Sequence, residues 1–176
     1  MGRNSCAWPG ALALALLWLA APAAADEAQI ARGKYLVGIS GCSDCHTPGG
    51  MLGSPDMKRY LGGSDVGFSI PTQGVFVGQN LTPDEETGLG RWTAEQVVAA
   101  IRTGKRPDGS ELSGVMPSTS FSKLTDEDAF AIAAFLRSLP PVKNKVVNYR
   151  STDRVPISVS TVLPPDAYNA LPAALK

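Results

Sequence analysis

The stretch ISGCSDCHTPGG, residues 39–50, constrains this chain more than any other. It places Cys42, Cys45 and His46 in the order C-x-x-C-H, and His46 is the only histidine in 176 residues. A structural zinc site would use both thiolates and the imidazole. It would then need a fourth ligand that no second C-x-x-C or other histidine supplies. A thioredoxin-like pair belongs after a strand, at the start of a helix in a βαβ context, and no such pattern surrounds these cysteines. A disulfide closing so short a loop would remove little chain entropy.

The ends of the chain bear on which chemistry applies. Arg3, the apolar run GALALALLWLA (residues 10–20) and the small-x-small ending Ala23-Ala24-Ala25 form a secretory signal over residues 1–25. The apolar run is shorter than the roughly 20 residues a membrane span needs, and no later segment approaches that length. Export and a soluble mature product are therefore expected, with Asp26 as the first mature residue. Cys6 leaves with the signal, so Cys42 and Cys45 are the two cysteines of an exported chain. Removing Arg3 leaves 15 basic against 16 acidic side chains, a formal charge of −1. Neither that balance nor any basic run points to nucleic acid.

The mature chain is long enough for one domain, here residues 26–146, followed by a proline-containing extension over 147–176. Residues 26–40 carry Ala28, Ile30, Ala31, Tyr35, Leu36 and Ile39 at approximately helical spacing, with acids in the first turn. Residues 49–90 are rich in Gly, Pro, Ser and Asp, with two short extended pieces in GFSIPTQGVFVG (67–78) that predict a small hairpin. So long a loop region inside a small domain is expected to wrap something. The tripeptide Asn80-Leu81-Thr82 matches a glycosylation acceptor and is set aside, since nothing else indicates a eukaryotic host. A capping box at Thr93 and Gln96 opens a helix closed by Gly104. A second box, Thr125 with Asp128, opens the strongest helix, 126–139, with Phe130, Ala133, Ala134, Phe135 and Leu136 as its apolar stripe and Pro140-Pro141 as its stop.

Covalent haem attachment satisfies all of these constraints. Two cysteines three apart on a helical turn face the same way, so their sulfurs reach the two vinyl groups on one haem edge. The adjacent His46 then lies beneath the iron as an axial ligand. One motif predicts one haem c per chain. A single histidine excludes bis-histidine ligation, and methionine is the usual second strong ligand. Met51 and Met57 follow His46 by 5 and 11 residues, and Met116 by 70. Met51 has too little chain to round the haem; Met57 could reach the far face. Met116, stiffened by Pro117 in a polar loop before the last helix, is the best-placed ligand, with Met57 or an open sixth site as the alternatives.

With these residues in place, the chain resembles the class I c-type cytochromes. More closely, it is similar to the cytochrome modules of bacterial membrane-bound dehydrogenases for alcohols, aldoses and gluconate. The likeness runs over residues 31–142, through ARGKYLVGISGCSDCHTP, NLTPDEETGLGRWT, AAIRTGKRPDGS and the ending MPSTSFSKLTDED to FLRSLPPV. It implies an all-α, class I cytochrome fold with few helices around one covalent haem. It also implies thioether links at Cys42 and Cys45, and His46 and Met116 as axial ligands. First and last helices should cross, with Gly33 and Tyr35 against Phe130 and Phe135. Arg91, Trp92, Arg102 and Arg106 are the residues that could approach a haem propionate. The function implied is electron transfer in the periplasm between redox partners, a dehydrogenase donor and an oxidase or cytochrome acceptor, by a non-catalytic carrier. The rival readings are an electron-transfer subunit held in a dehydrogenase complex and a ligand-binding haem protein with an open sixth site.

Overall fold

The computed structural model describes Met1 and residues 27–150 apart from Pro71; the signal segment and the chain beyond Arg150 lie outside the described residues. Five helices and a small antiparallel sheet follow in the order α1 (Glu27–Ile39), α2 (Cys42–His46), β1 (Gly67–Ile70), β2 (Gly74–Val77), α3 (Ala94–Thr103), α4 (Ser118–Phe121), α5 (Asp126–Ser138) and β3 (Tyr149–Arg150). Short 3₁₀ turns at Gly50–Leu52 and Met57–Arg59 interrupt the loop after α2.

Among the described residues the expected crossing of the first and last helices, α1 against α5, is the most extensive packing. The buried stripe of α1 is Gly33, Leu36 and Val37, whereas Tyr35 and Ile39 are exposed. The crossing therefore uses Gly33 and Phe135 but not Tyr35. The reason is helical spacing: Tyr35 and Ile39 lie one turn apart on the opposite face. There the Arg32 guanidinium sits 5.7 Å from the Tyr35 ring centroid, a cation–π geometry. A Cβ on Gly33 would lie 1.9 Å from the Ala131 carbonyl oxygen and 2.8 Å from Phe135 Cβ. Both atoms are fixed to the α5 backbone, so no rotamer change makes room. Gly33→Ala should thus destabilise by about 2 kcal/mol, because overpacking outweighs the roughly 1 kcal/mol gained in helix propensity. Urea unfolding should show a lower midpoint at an unchanged slope.

The capping boxes divide in an instructive way. At Thr93 both halves form: Gln96 N–H donates to the Thr93 hydroxyl, and Thr93 N–H donates to the Gln96 side chain. Gly104 closes α3 in the left-handed region, at φ 74°. At Thr125 the hydroxyl accepts from Asp128 N–H at 3.1 Å, but the Asp128 carboxylate turns to Arg32, whose Nε donates at 2.9 Å. That ion pair joins α5 to α1 and holds the Asp128 carboxyl below its ordinary range. On α5, Ala129, Ala131, Ile132, Ala133, Phe135 and Leu136 are buried; of the anticipated stripe Ala133, Phe135 and Leu136 are buried, whereas Phe130 and Ala134 are half-buried at its edges.

The predicted hairpin forms from β1 and β2 with Phe68 opposite Phe76 and Ser69 opposite Val75. A third strand, β3, pairs with β2 through Val75–Tyr149 and Gly74–Arg150. The long loop is pinned by buried polar groups as well as by the fully buried Leu61. Asn80 and Thr82 are almost wholly buried. Asn80 Nδ2 donates to the Val142 carbonyl at 2.6 Å, its Oδ1 accepts from Thr82 N–H at 3.0 Å, and the Thr82 hydroxyl accepts from Val142 N–H at 3.0 Å. This satisfies groups that would otherwise cost ~1–3 kcal/mol each to bury. The same burial leaves no access to the Asn80 amide, so the tripeptide serves packing. Among the described residues no helix is long and apolar enough to cross a membrane.

Candidate haem site

Gly41, with φ 66° in the left-handed region, ends the first helical run and redirects the chain into α2. In the single turn of α2, Cys42 and Cys45 both border one cavity of about 340 Å³, together with His46. Both cysteines are free. Burial pushes the Cys42 thiol up to about 11 and raises that of Cys45 as well. That is the reverse of the lowered pKa a reactive redox dithiol requires. Among the described residues no three His, Cys, Asp or Glu side chains come together as a metal-ion set.

His46 is held at two points. Its carbonyl accepts from Gly63 N–H at 2.8 Å, and its Nδ1 lies 2.7 Å from the Gln79 carbonyl oxygen. A carbonyl can only accept, so Nδ1 carries the proton and donates. The lone pair of the neutral ring is therefore on Nε2. Burial lowers the imidazole pKa against the opposing effect of the Gln79 bond, which keeps the ring neutral. This is the arrangement in which an outer partner fixes the tautomer of a metal-binding histidine.

Two buried features hold the loop that supports His46. Thr47, fully buried, accepts from Leu61 N–H at 2.9 Å and from the Ser43 hydroxyl at 3.0 Å. Leu61, also fully buried, is held at φ 56°, where a branched side chain is strained. Gly78 passes directly over α2: a Cβ there would lie 1.6 Å from the Cys45 carbonyl oxygen.

The cavity is lined mainly by apolar side chains. Phe68 and Phe76 come from the hairpin, Val97 and Ile101 from α3, and Ile132 and Leu136 from α5. The segment before α5 supplies Leu112, Val115, Met116, Pro117 and Phe121. What reads as a polar loop at 117–122 contains the one-turn helix α4, begun by Pro117 at φ −80°. Four residues are too few to carry a period, and Pro117 stands just before the helix as its N-cap. Met116 is half-buried, and its carbonyl accepts from Ser118 N–H at 2.8 Å. Met51 and Met57 are exposed and do not border the cavity. Of the four residues considered for propionates, Trp92 and Arg106 border it. Arg102 pairs with Asp126, and Arg91 is exposed. Gln79, Gly78 and Asn148 are further cavity residues that sequence reasoning passes over, since nothing local marks which carbonyl will meet an imidazole 33 positions away.

A helical domain closed by its first and last helices, around an apolar cavity that gathers a C-x-x-C-H turn, is the build of a protein holding a covalently attached cofactor. The chain belongs to the cytochrome c family, whose sequence model matches residues 30–140, and membership implies covalently bound haem c. It is 37% identical over 140 residues to the cytochrome c subunit of a quinone-type alcohol dehydrogenase from Gluconobacter oxydans, covering 77% of this chain and 27% of that protein. It is 36% identical over 115 residues to the fructose dehydrogenase cytochrome subunit of Gluconobacter japonicus, covering 65% and 22%. It is 32% identical over 156 residues to the gluconate 2-dehydrogenase cytochrome c subunit of Pantoea cypripedii, covering 85% and 33%. The chain thus spans about a fifth to a third of the length of these relatives.

The residues present fit the haem group on their own chemistry. Two free thiols, an imidazole with an open Nε2 and a thioether all border one apolar cavity.

Proposed function

We propose that this chain is an exported, periplasmic carrier with one haem c, passing single electrons between a dehydrogenase donor and an oxidase or cytochrome acceptor. The observation that carries the reading is the convergence of Cys42, Cys45, His46 and Met116 on one cavity. When bound, haem iron supplies one-electron exchange between its ferric and ferrous states. Cys42 and Cys45 would hold the group by adding their S–H bonds across its two vinyl groups, a step that needs no oxidant. His46 would offer Nε2 to the iron, oriented by the Gln79 carbonyl, and Met116 would offer its sulfur from the segment before α5. Phe68, Phe76, Ile132 and Leu136 exclude water, which limits reorganisation when the charge changes. Trp92 and Arg106, which border the cavity, would stabilise propionate charge.

The relatives' names favour a second reading, an electron-transfer subunit bound to a dehydrogenase. Co-purification in fixed stoichiometry with a dehydrogenase would select it over the free carrier.

Two measurements on the wild-type protein test the haem assignment. A pyridine haemochrome assay should return one haem per chain with the signature of two thioether links. The oxidised protein should show a low-spin spectrum with the weak far-red band of a sulfur ligand. Carbon monoxide binding at neutral pH would instead establish an open sixth site and sink methionine ligation.

A further inference from the structure

The segment after Val146 contributes to the histidine side of the site. Among the described residues β3 pairs with β2 at Gly74–Arg150 and Val75–Tyr149. Beyond that point the Asn148 side chain takes the place of the missing ladder. Its Oδ1 accepts from Val77 N–H at 2.9 Å and from Gln79 Nε2 at 3.2 Å. Gln79 Nε2 also donates to the Val77 carbonyl at 2.8 Å. One amide oxygen therefore fixes both the last residue of β2 and the side chain of Gln79. The Gln79 main-chain carbonyl is the group that accepts the His46 Nδ1 proton, at 2.7 Å. Asn148 itself borders the cavity. The same amide oxygen thus meets both Val77 and Gln79, the residue whose carbonyl is the imidazole's protein partner among the described contacts.

We infer that Asn148 is a positioning residue for the haem iron, holding the Gln79 carbonyl against His46 and so setting the electron donation of the imidazole. The inference rests on His46 being the axial ligand. A firmly held acceptor on Nδ1–H makes the ring a more basic ligand, which favours ferric iron. Loosening that acceptor should favour ferrous iron and raise the reduction potential.

The test compares holoproteins carrying Asn148→Ala and Asn148→Asp with wild type, by redox titration and by ¹⁵N-histidine NMR of the diamagnetic ferrous state. In Asn148→Ala the ferrous-to-ferric ratio at a fixed ambient potential should rise about threefold, or about 30 mV at 59 mV per tenfold. Solvent exchange of the His46 Nδ1 proton should quicken with it. Asn148→Asp keeps an acceptor oxygen in place and should restore slow exchange, even though its charge lowers the potential. Unchanged potential and exchange in Asn148→Ala, beside a wild-type protein with histidine ligation, would overturn the inference alone. Equal acceleration in both variants would also overturn it, since the acceptor would then be irrelevant. A wild-type spectrum lacking histidine ligation would overturn the inference together with the reading beneath it.

Discussion

Replacing Met116 with alanine should turn a low-spin haem protein into a high-spin one and abolish the far-red sulfur band. Of the methionines among the described residues, Met116 alone borders the cavity. Met51 and Met57 are 39% and 63% exposed and would have to leave their 3₁₀ turns to reach it. A thioether stabilises ferrous iron, so its loss should lower the potential by on the order of 0.1–0.3 V, within the roughly 0.8 V that axial ligands span. Alanine leaves Pro117 and the turn into α4 intact, so the fold should survive. Met57→Ala and Met51→Ala should leave spectrum and potential unchanged. If Met116→Ala keeps a wild-type spectrum while Met57→Ala loses the band, the ligand assignment moves to Met57.

Gly78→Ala should nearly abolish recovery of haem-loaded protein. The new Cβ would fall 1.6 Å from the Cys45 carbonyl oxygen, 2.7 Å from its carbonyl carbon and 3.3 Å from His46 Nδ1. The first two are backbone atoms of the turn that carries both cysteines, so relief requires β2 and α2 to separate. That separation breaks the 2.7 Å contact between His46 and Gln79. Overpacking against main chain lies at the upper end of the usual range, about 3 kcal/mol. Because the damage sits on the turn proposed to carry the haem, holoprotein yield should fall further than stability alone accounts for. Haem staining of a denaturing gel, normalised to total protein, measures it. A yield within a factor of two of wild type would show that the hairpin can lift from α2 without consequence.

The turn at 42–46 is legible in five residues because C-x-x-C-H spacing on one helical turn is a local property, and the structure brings Cys42, Cys45 and His46 to one cavity. The α5 helix, part of its stripe and the Thr93 box are legible for a similar reason: period and capping are local properties, whereas the burial of Ala129, Ala131 and Ile132 is set by the crossing. What escapes is any partner chosen by tertiary approach. The Asp128 carboxylate has the right position for a box and instead finds Arg32, 96 residues away. Tyr35 and Ile39 are apolar at near-helical spacing, yet the crossing selects Gly33, Leu36 and Val37 because the backbones come too close for anything larger at position 33. The Gln79 carbonyl is a backbone group, invisible to any reading of side chains. Residues 147–150, set down as extension, include an amide bound to the end of β2.

The α1–α5 crossing also imposes an order in time. A chain exported from its N-terminus presents α1 and the cysteine turn before α5, and the contact that closes the domain joins residues nearly a hundred positions apart. Ile132 and Leu136 of α5 border the same cavity as Cys42 and Cys45, so that cavity is incomplete until the last helix has emerged. Throughout that interval the two thiols stand on an open chain, accessible from every side. The topology would thus give the proposed attachment at Cys42 and Cys45 its opportunity before folding closes around the product, with Ile132, Leu136 and Asn148 the last cavity groups to arrive.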